Sequence, residues 1–408
     1  MARVRREPGP SNAEEAFAPR HKDLFPFDAS DWLGLILAIV GLVLAAGGGI
    51  GGGGILVPIY VMILGFSPKL AVALSNVTIL GGAMANMALN CSKRHPKTDR
   101  PLVDWDLILI MEPPTIGGAL IGSFLNKILP ERIMVFALVA LLAATAWRTL
   151  SCGVAVYHKE SLAHAKATAA ERLPLTAESA PLVVLLTAFF LVTLALNLLK
   201  GGGGVRSPLG FTCSSPAFWA LVAGTLGWVV LFSVVARYYL VSRQRVKAAC
   251  GYQYCEGDVE WTPRHATVFP ALCFFAGLFA GLFGVGGGII KGPLMLEMGV
   301  LPQVASATSA CMILYTSFTA TTSFLAFGLL RRDYGTLLLV VGLLATAVGQ
   351  LLVSHLVKRY QRSSLIILII GGVVAISTVL LATTSIEDLL GHGATSRASG
   401  GFCGREDQ

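Results

Sequence analysis

Two glycine runs hold the residues of this chain best placed to do chemistry. The first reads Gly47-Gly-Gly-Ile-Gly-Gly-Gly-Gly-Ile-Leu-Val-Pro58, the second Gly284-Val-Gly-Gly-Gly-Ile-Ile-Lys-Gly-Pro293. With a shift of 235, Gly49, Gly51, Gly52, Gly53, Ile55 and Pro58 fall on Gly284, Gly286, Gly287, Gly288, Ile290 and Pro293. After a one-residue slip, Gly65, Pro68, Ala71, Ala73 and Ser75 fall on Gly299, Pro302, Ala305, Ala307 and Ser309. A helix that starts at such a run presents unpaired N–H groups and the positive end of its dipole to whatever lies in front of it. That combination binds anions without a full charge. Glycine lets a ligand oxygen approach the backbone closely. Pro58 and Pro293 read as opening-turn residues, where a missing N–H costs little. The expected substrate contacts are Gly51, Gly52, Gly53, Gly54 and Pro58, with Gly286, Gly287, Gly288 and Pro293. Helix packing through small residues is the competing account, and the doubling of the run with its proline favours a site.

Side chains extend the set. Lys291 falls in the first turn of the helix after the second run, where the first run has Leu56. An intramembrane cation is costly and functional by default, and here it adds a point charge suited to an oxyanion, unless it snorkels to the interface. Ser75, Asn76 and Thr78 correspond to Thr308 and Ser309, with Gln303 and Ser306 nearer the start of the later helix. Their polar groups can donate to ligand oxygens or bond their own helices. Ser123 and Gln350 fall opposite each other when Gly122 is laid on Gly349. Glu112, just before Pro113 and Pro114, is the candidate for ion coupling, because an intramembrane acid can carry a proton. The competing role is structural. Glu297 reads as interfacial.

These residues need membrane helices to hold them. A spanning helix takes about 20 mostly apolar residues, and 68–90, 105–129, 132–150, 181–199, 216–240, 302–328, 336–356 and 364–386 qualify. Each glycine-broken region, 32–65 and 266–300, continues past its break for only about 16 Å, half a bilayer. Each is either one discontinuous crossing or a re-entrant hairpin. Counted as crossings, they predict an all-α polytopic protein of about ten transmembrane helices. Two four-helix halves, 32–150 and 266–386, flank a linker at 151–265 with two inserted helices. A cytoplasmic tail, 1–31, precedes them, and a disordered Gly/Ser-rich tail, 387–408, follows. The basic residues of 91–104 and 241–265 then share one side, while Lys358, Arg359 and Arg362 fall on the other. Re-entrant hairpins would instead leave each half with an odd number of crossings and invert one against the other. Glycosylation of the sequon Asn90-Cys91-Ser92 would reverse the orientation.

Composition agrees with lipid as the solvent. Charged residues are 13% of the chain, against about 25% in soluble domains, and mean hydropathy is +0.71. The net charge of +8 is spread in short groups between apolar spans, a topology signal rather than a nucleic-acid face. The eight cysteines form no CxxC pair, and no metal or cofactor motif is present. Gly284-x-Gly-x-Gly lacks the preceding strand and later acid of a dinucleotide fold. Lys291 precedes Gly292 rather than Ser or Thr, so the phosphate-loop pattern fails too. No Gly-x-Ser-x-Gly or His-Glu-x-x-His motif points to an enzyme.

The stretch from Gly281 through Pro293 to Ser309, with its first copy from Gly48 to Ser75, resembles the signature of the sulfite exporter TauE/SafE family. The likeness covers nearly all of 32–386, with the polar 151–180 segment closer to the larger eukaryotic members. It implies a multi-helix carrier of small inorganic or organosulfur anions built from two related halves. The partners expected are a small anionic substrate, the lipid bilayer and a coupling proton, with no nucleic acid. An anion channel or a non-transporting membrane scaffold is the alternative.

Overall fold

The computed structural model describes residues 24, 26–46, 51–95, 100–163, 180–201, 207, 210, 215–249, 258–360 and scattered positions between 368 and 383. Residues 1–23 and 25 of the expected N-terminal tail, the expected C-terminal tail, most of 151–180 and the opening residues 47–50 of the first run lie outside the described residues, the 364–386 span is described only in part, and 29–31, expected in the tail, open the first helix. Among the described residues eleven helices have defined bounds, with further helical positions between 368 and 383, and there is no strand. They are α1 (Ala29–Ala46), α2 (Gly53–Met62), α3 (Pro68–Asn90), α4 (Trp105–Ile128), α5 (Glu131–Ala163), α6 (Ala180–Lys200), α7 (Pro216–Ala249), α8 (His265–Phe283), α9 (Gly288–Glu297), α10 (Pro302–Ala326) and α11 (Arg332–Tyr360). Eight are long and apolar enough to cross a membrane, and the protein is an integral, multi-pass membrane protein.

The glycine runs set the breaks. Gly51 and Gly52 take φ of 79° and 75°, and Gly284, Gly286 and Gly287 take 70°, 72° and 68°, a left-handed region that side chains with Cβ avoid. Pro68 and Pro302 open α3 and α10 at their first turns, where their fixed φ suits a helix start. Asp104 caps α4 by accepting from Asp106 N and Leu107 N at 3.0 and 3.2 Å.

Close contacts choose the hairpin over the single crossing. A methyl added at Gly41 would come within 2.8 Å of Ile55 Cγ2, and one at Gly34 within 2.5 Å of Leu64 Cδ2. The start of α1 therefore lies beside the end of α2, so the two run antiparallel. A methyl at Gly287 would sit 3.5 Å from Ala280 Cβ, so α9 likewise turns back along α8. Gly51 rests against Ile79 and Ile313, near the midpoints of α3 and α10. Helices of ten residues are about 15 Å long, half the bilayer core, so each hairpin turns at mid-depth.

The hairpins open at opposite ends of the bundle. Where α4 finishes, Lys69 at the start of α3 donates to the Lys127 carbonyl at 3.0 Å. Where α4 starts, Asp106 pairs with Arg243 at 2.9 Å and Arg100 with Asp258. Beside these, Arg237 reaches Thr267 at the start of α8. α4 packs on α8 and α10, and α11 packs on α1 and α3. Small residues allow it: methyls at Gly277 and Gly342 would fall 1.9 and 2.1 Å from the Thr115 and Thr78 carbonyls. Over their most apolar stretch α3 and α4 are each 89% buried, but α5, α6 and α7 only 28%, 28% and 22%. The former are the core, and the latter turn Trp147, Val184, Val230 and Tyr238 outward, as lipid-facing helices do.

Candidate functional site

The two hairpin turns meet. A methyl at Gly53 would come within 2.5 Å of both the Gly284 carbonyl oxygen and Val285 Cα, and one at Gly54 within 3.1 Å of Ile289 Cδ1. Ser75 Oγ donates to the Gly284 carbonyl at 2.8 Å, tying α3 to the second turn. Gly52 and Gly287 stand at the N-caps of α2 and α9, and neither helix has a side-chain cap. The opening N–H groups of both short helices thus have no intrahelical acceptor, and they lie side by side inside the bundle. Gly52, Gly53, Gly54, Gly286, Gly287 and Gly288 are buried.

Lys291 and Glu112, assigned separate roles from sequence, are partners. Lys291 Nζ lies 2.9 Å from Glu112 Oε2, with both side chains fully buried. Thr316 bridges them: it donates to Glu112 Oε1 at 2.6 Å and accepts from Lys291 Nζ at 3.1 Å. Both charges are neutralised within the site, so Lys291 carries no uncompensated field toward the hairpin tips in this conformation. Neither of the proline rings after Glu112 interrupts α4.

The remaining expected residues divide. Pro58 and Pro293 are not in opening turns: each is the sixth residue of its helix (Gly53–Met62, Gly288–Glu297). The helices start earlier than the sequence implies, because the glycines themselves form the first turn, so each ring removes an intrahelical bond. Asn76 Nδ2 donates to its own helix at the Val72 carbonyl, and Thr78 Oγ1 donates to the Leu74 carbonyl and meets Tyr60 Oη. Thr308 Oγ1 accepts from Asp104 N at 3.0 Å, away from the turns. Ser309 is buried, whereas Gln303 is exposed at the start of α10. Glu297 pairs with Arg148 on the exposed surface. Asn90, the sequon asparagine, is 3% exposed.

The polar lane around Gln350 was read only in part, with Gln350 singled out and Lys93 and Asn86 not. The Gln350 amide donates to the Ala46 carbonyl at 2.8 Å and accepts from Lys93 Nζ at 3.0 Å, with Asn90 Oδ1 3.2 Å from the amide. Lys93 also reaches Ser354 at 3.3 Å. Asn86, Asn90 and Gly82 repeat every four residues on α3, as do Thr346, Gln350 and Ser354 on α11. That spacing puts each set on one helix face and was the available signal.

Membrane-spanning helices around two broken hairpins that touch at mid-depth make a membrane transporter. The family model for the sulfite exporter TauE/SafE matches residues 33–263 and 268–404, and the chain belongs to that family. It is 30% identical over 400 residues to sulfite exporter TauE/SafE family protein 3 of Arabidopsis thaliana, covering 90% of this chain and 81% of that one. Family protein 5 of the same plant is 27% identical over 383 residues (87% and 83% covered), and family protein 1 is 28% identical over 371 (85% and 82%). No solved structure matches the chain.

Proposed function

We propose that the protein is a secondary carrier of small oxyanions, with sulfite or an organosulfonate as substrate, bound between the origins of α2 and α9. The observation that carries this is the contact of two uncapped helix N-termini at mid-depth, Gly53 against Gly284 and Gly54 against Ile289. Two such termini offer converging N–H groups and dipole ends to an anion, and the glycines let the two turns approach backbone to backbone. The names of the family and its plant relatives support sulfite as the first substrate to try. Of the hydroxyls, Ser75 lies nearest the meeting point, through its bond to Gly284.

The Lys291–Glu112 pair serves coupling in this reading. An anion drawn to Lys291 competes with the Glu112 carboxylate, and a proton on Glu112 removes the competitor. Anion and proton then bind together with no change in buried charge. Hairpins that open at opposite ends suit alternating access, each end exposing the shared centre in turn.

Reconstitution in liposomes tests the proposal, with labelled sulfite, sulfate, a taurine-like sulfonate and a carboxylate, each with and without a pH gradient. Saturable sulfite or sulfonate flux, accelerated by substrate on the far side, is expected. Flux that does not saturate would mean a channel, and no flux of any anion would overturn the reading.

A further inference from the structure

We infer that Met87, Cys91 and Cys311 form a binding site for a soft monovalent cation of the Cu(I) class, at the end of the bundle where α4 starts. The Met87 thioether is the hub. Cys91 Sγ stands 3.6 Å from its sulfur and Cys311 Sγ 3.2 Å. Met87 lies in the last turn of α3 and Cys91 is the C-cap four residues on, so the two share a helix face. α10 packs against α3 and brings Cys311 to the same point. The trio runs from surface to core: Cys91 is exposed, Met87 half-buried and Cys311 1% exposed. An ion therefore has a way in. Cys273, also buried, pairs instead with the Thr115 hydroxyl.

The donor set selects the ion. Thiolate and thioether ligands suit Cu(I), whereas carbonyl and carboxylate oxygens suit harder cations. A closed zinc site takes four Cys, His or carboxylate ligands, and no three such side chains converge among the described residues. Sulfurs bound tetrahedrally to one ion at about 2.3 Å lie about 3.8 Å apart. Both separations here fall just short of that, so small side-chain shifts admit an ion. The flexible Met87 chain and the exposed Cys91 supply them.

On binding, both thiols lose their protons to water, two thiolate–copper bonds and one thioether–copper bond form, and no electron changes hands. The site then carries one net negative charge, which Lys93 and Arg100 at the same end offset. An ion so held staples α3 to α10. Those helices secure the hairpin turn through Ser75 and the buried ion pair through Thr316. Such a site needs no transported substrate, so it stands whether or not the chain is a carrier.

The test takes the purified full chain in detergent, reduced and free of added thiol, with Cu(I) supplied from a chromophoric chelator. Met87→Leu, Cys91→Ser and Cys311→Ala are compared with wild type and with Cys273→Ala as control. Two quantities are read, the Cu(I) withdrawn from the chelator and the rate at which maleimide labels Cys91. Wild type and Cys273→Ala should hold one tight Cu(I) more than Cys91→Ser and Cys311→Ala. Met87→Leu keeps both thiols and nearly the same volume, and should lose at least about tenfold in affinity, since even outer-shell losses cost that much. Cu(I) should protect Cys91 from labelling in wild type and leave it open in Cys311→Ala, and Zn(II) should protect it in neither. Unchanged labelling of wild type in the presence of Cu(I) overturns the site. Protection that survives in Cys311→Ala overturns the pairing of the two helices, and equal protection by Zn(II) overturns the choice of a soft ion. Cys91→Ser alters only an exposed position, so its Cu(I) count decides even where a core variant fails to fold.

Discussion

Lys291 cannot be removed without stranding Glu112, since each is the other's counter-charge and neither reaches solvent. Breaking one side of a buried pair costs about 3–5 kcal/mol, whereas replacing both by apolar residues is often neutral. Lys291→Met should therefore lower the apparent melting temperature in detergent markedly, and adding Glu112→Leu should restore it. A single variant as stable as wild type would mean that the pair is not closed at rest. Glu112→Gln keeps a partner for Thr316 but leaves the Lys291 charge unpaired, so its transport is read per folded protein. Its sulfite transport should lose dependence on a pH gradient, and unchanged dependence would remove Glu112 from the proton path. Asp104, outside the spans, gives a second residue-scale prediction. Burial, with Asp106 adding to it and Arg100 opposing, pushes its carboxyl up to about 6. The folded state therefore holds this proton more tightly than the unfolded chain, whose Asp titrates near about 3.9, and stability falls as pH rises through that window. Asp104→Asn keeps the cap and should flatten melting temperature against pH between about 4 and 6.

At the scale of elements, small residues decide which helices touch. A methyl at Gly277 would lie 1.9 Å from the Thr115 carbonyl oxygen, whereas one at Gly227 on α7 meets nothing within 4 Å. Gly277→Ala should part α4 from α8 and cost at least about 1–3 kcal/mol. Gly227→Ala should be neutral or gain up to about 1 kcal/mol from helix propensity. Thermal unfolding of the two variants side by side checks this, and equal stability would mean that the α4–α8 interface yields freely. Most elements were legible, because apolar length and the glycine runs mark helices and breaks locally. Whether each broken segment crosses or folds back was not, since it depends on Gly34 meeting Leu64 and Gly41 meeting Ile55, pairs with no shared local pattern.

For the whole molecule, the folded-back hairpins redraw the sides. Lys93, Arg100, Arg243 and the end of α11, tied by the Lys93–Ser354 contact, gather at the end where α4 starts, while the start of α1 lies at the other. Lys93, Arg100, Arg243 and Arg264 then share one end with Lys358 and Arg359 at the end of α11, while Arg331 and Arg332 stand at the other, and the positive-inside rule leads us to expect the first end to be cytoplasmic. That expectation sets the start of α1 on the opposite side from the one implied by counting each broken segment as one crossing. Exposed Cys91 and a cysteine at Glu260 should react with an impermeant maleimide from the same side of sealed vesicles, and one at Asp333 from the opposite side. Cys91 reacting from the Asp333 side would refute this topology.

From sequence alone came an all-helical membrane protein, its doubled glycine breaks, and the residues worth watching at them. Those are properties of hydropathy, turn chemistry and backbone sterics, all written within a few turns of chain. The joining of Lys291 to Glu112 across 179 residues and the meeting of the two turns were settled only by tertiary packing. Each depends on which helices lie side by side, and that follows from how small residues let distant backbones approach, a property of the assembled bundle rather than of any one segment.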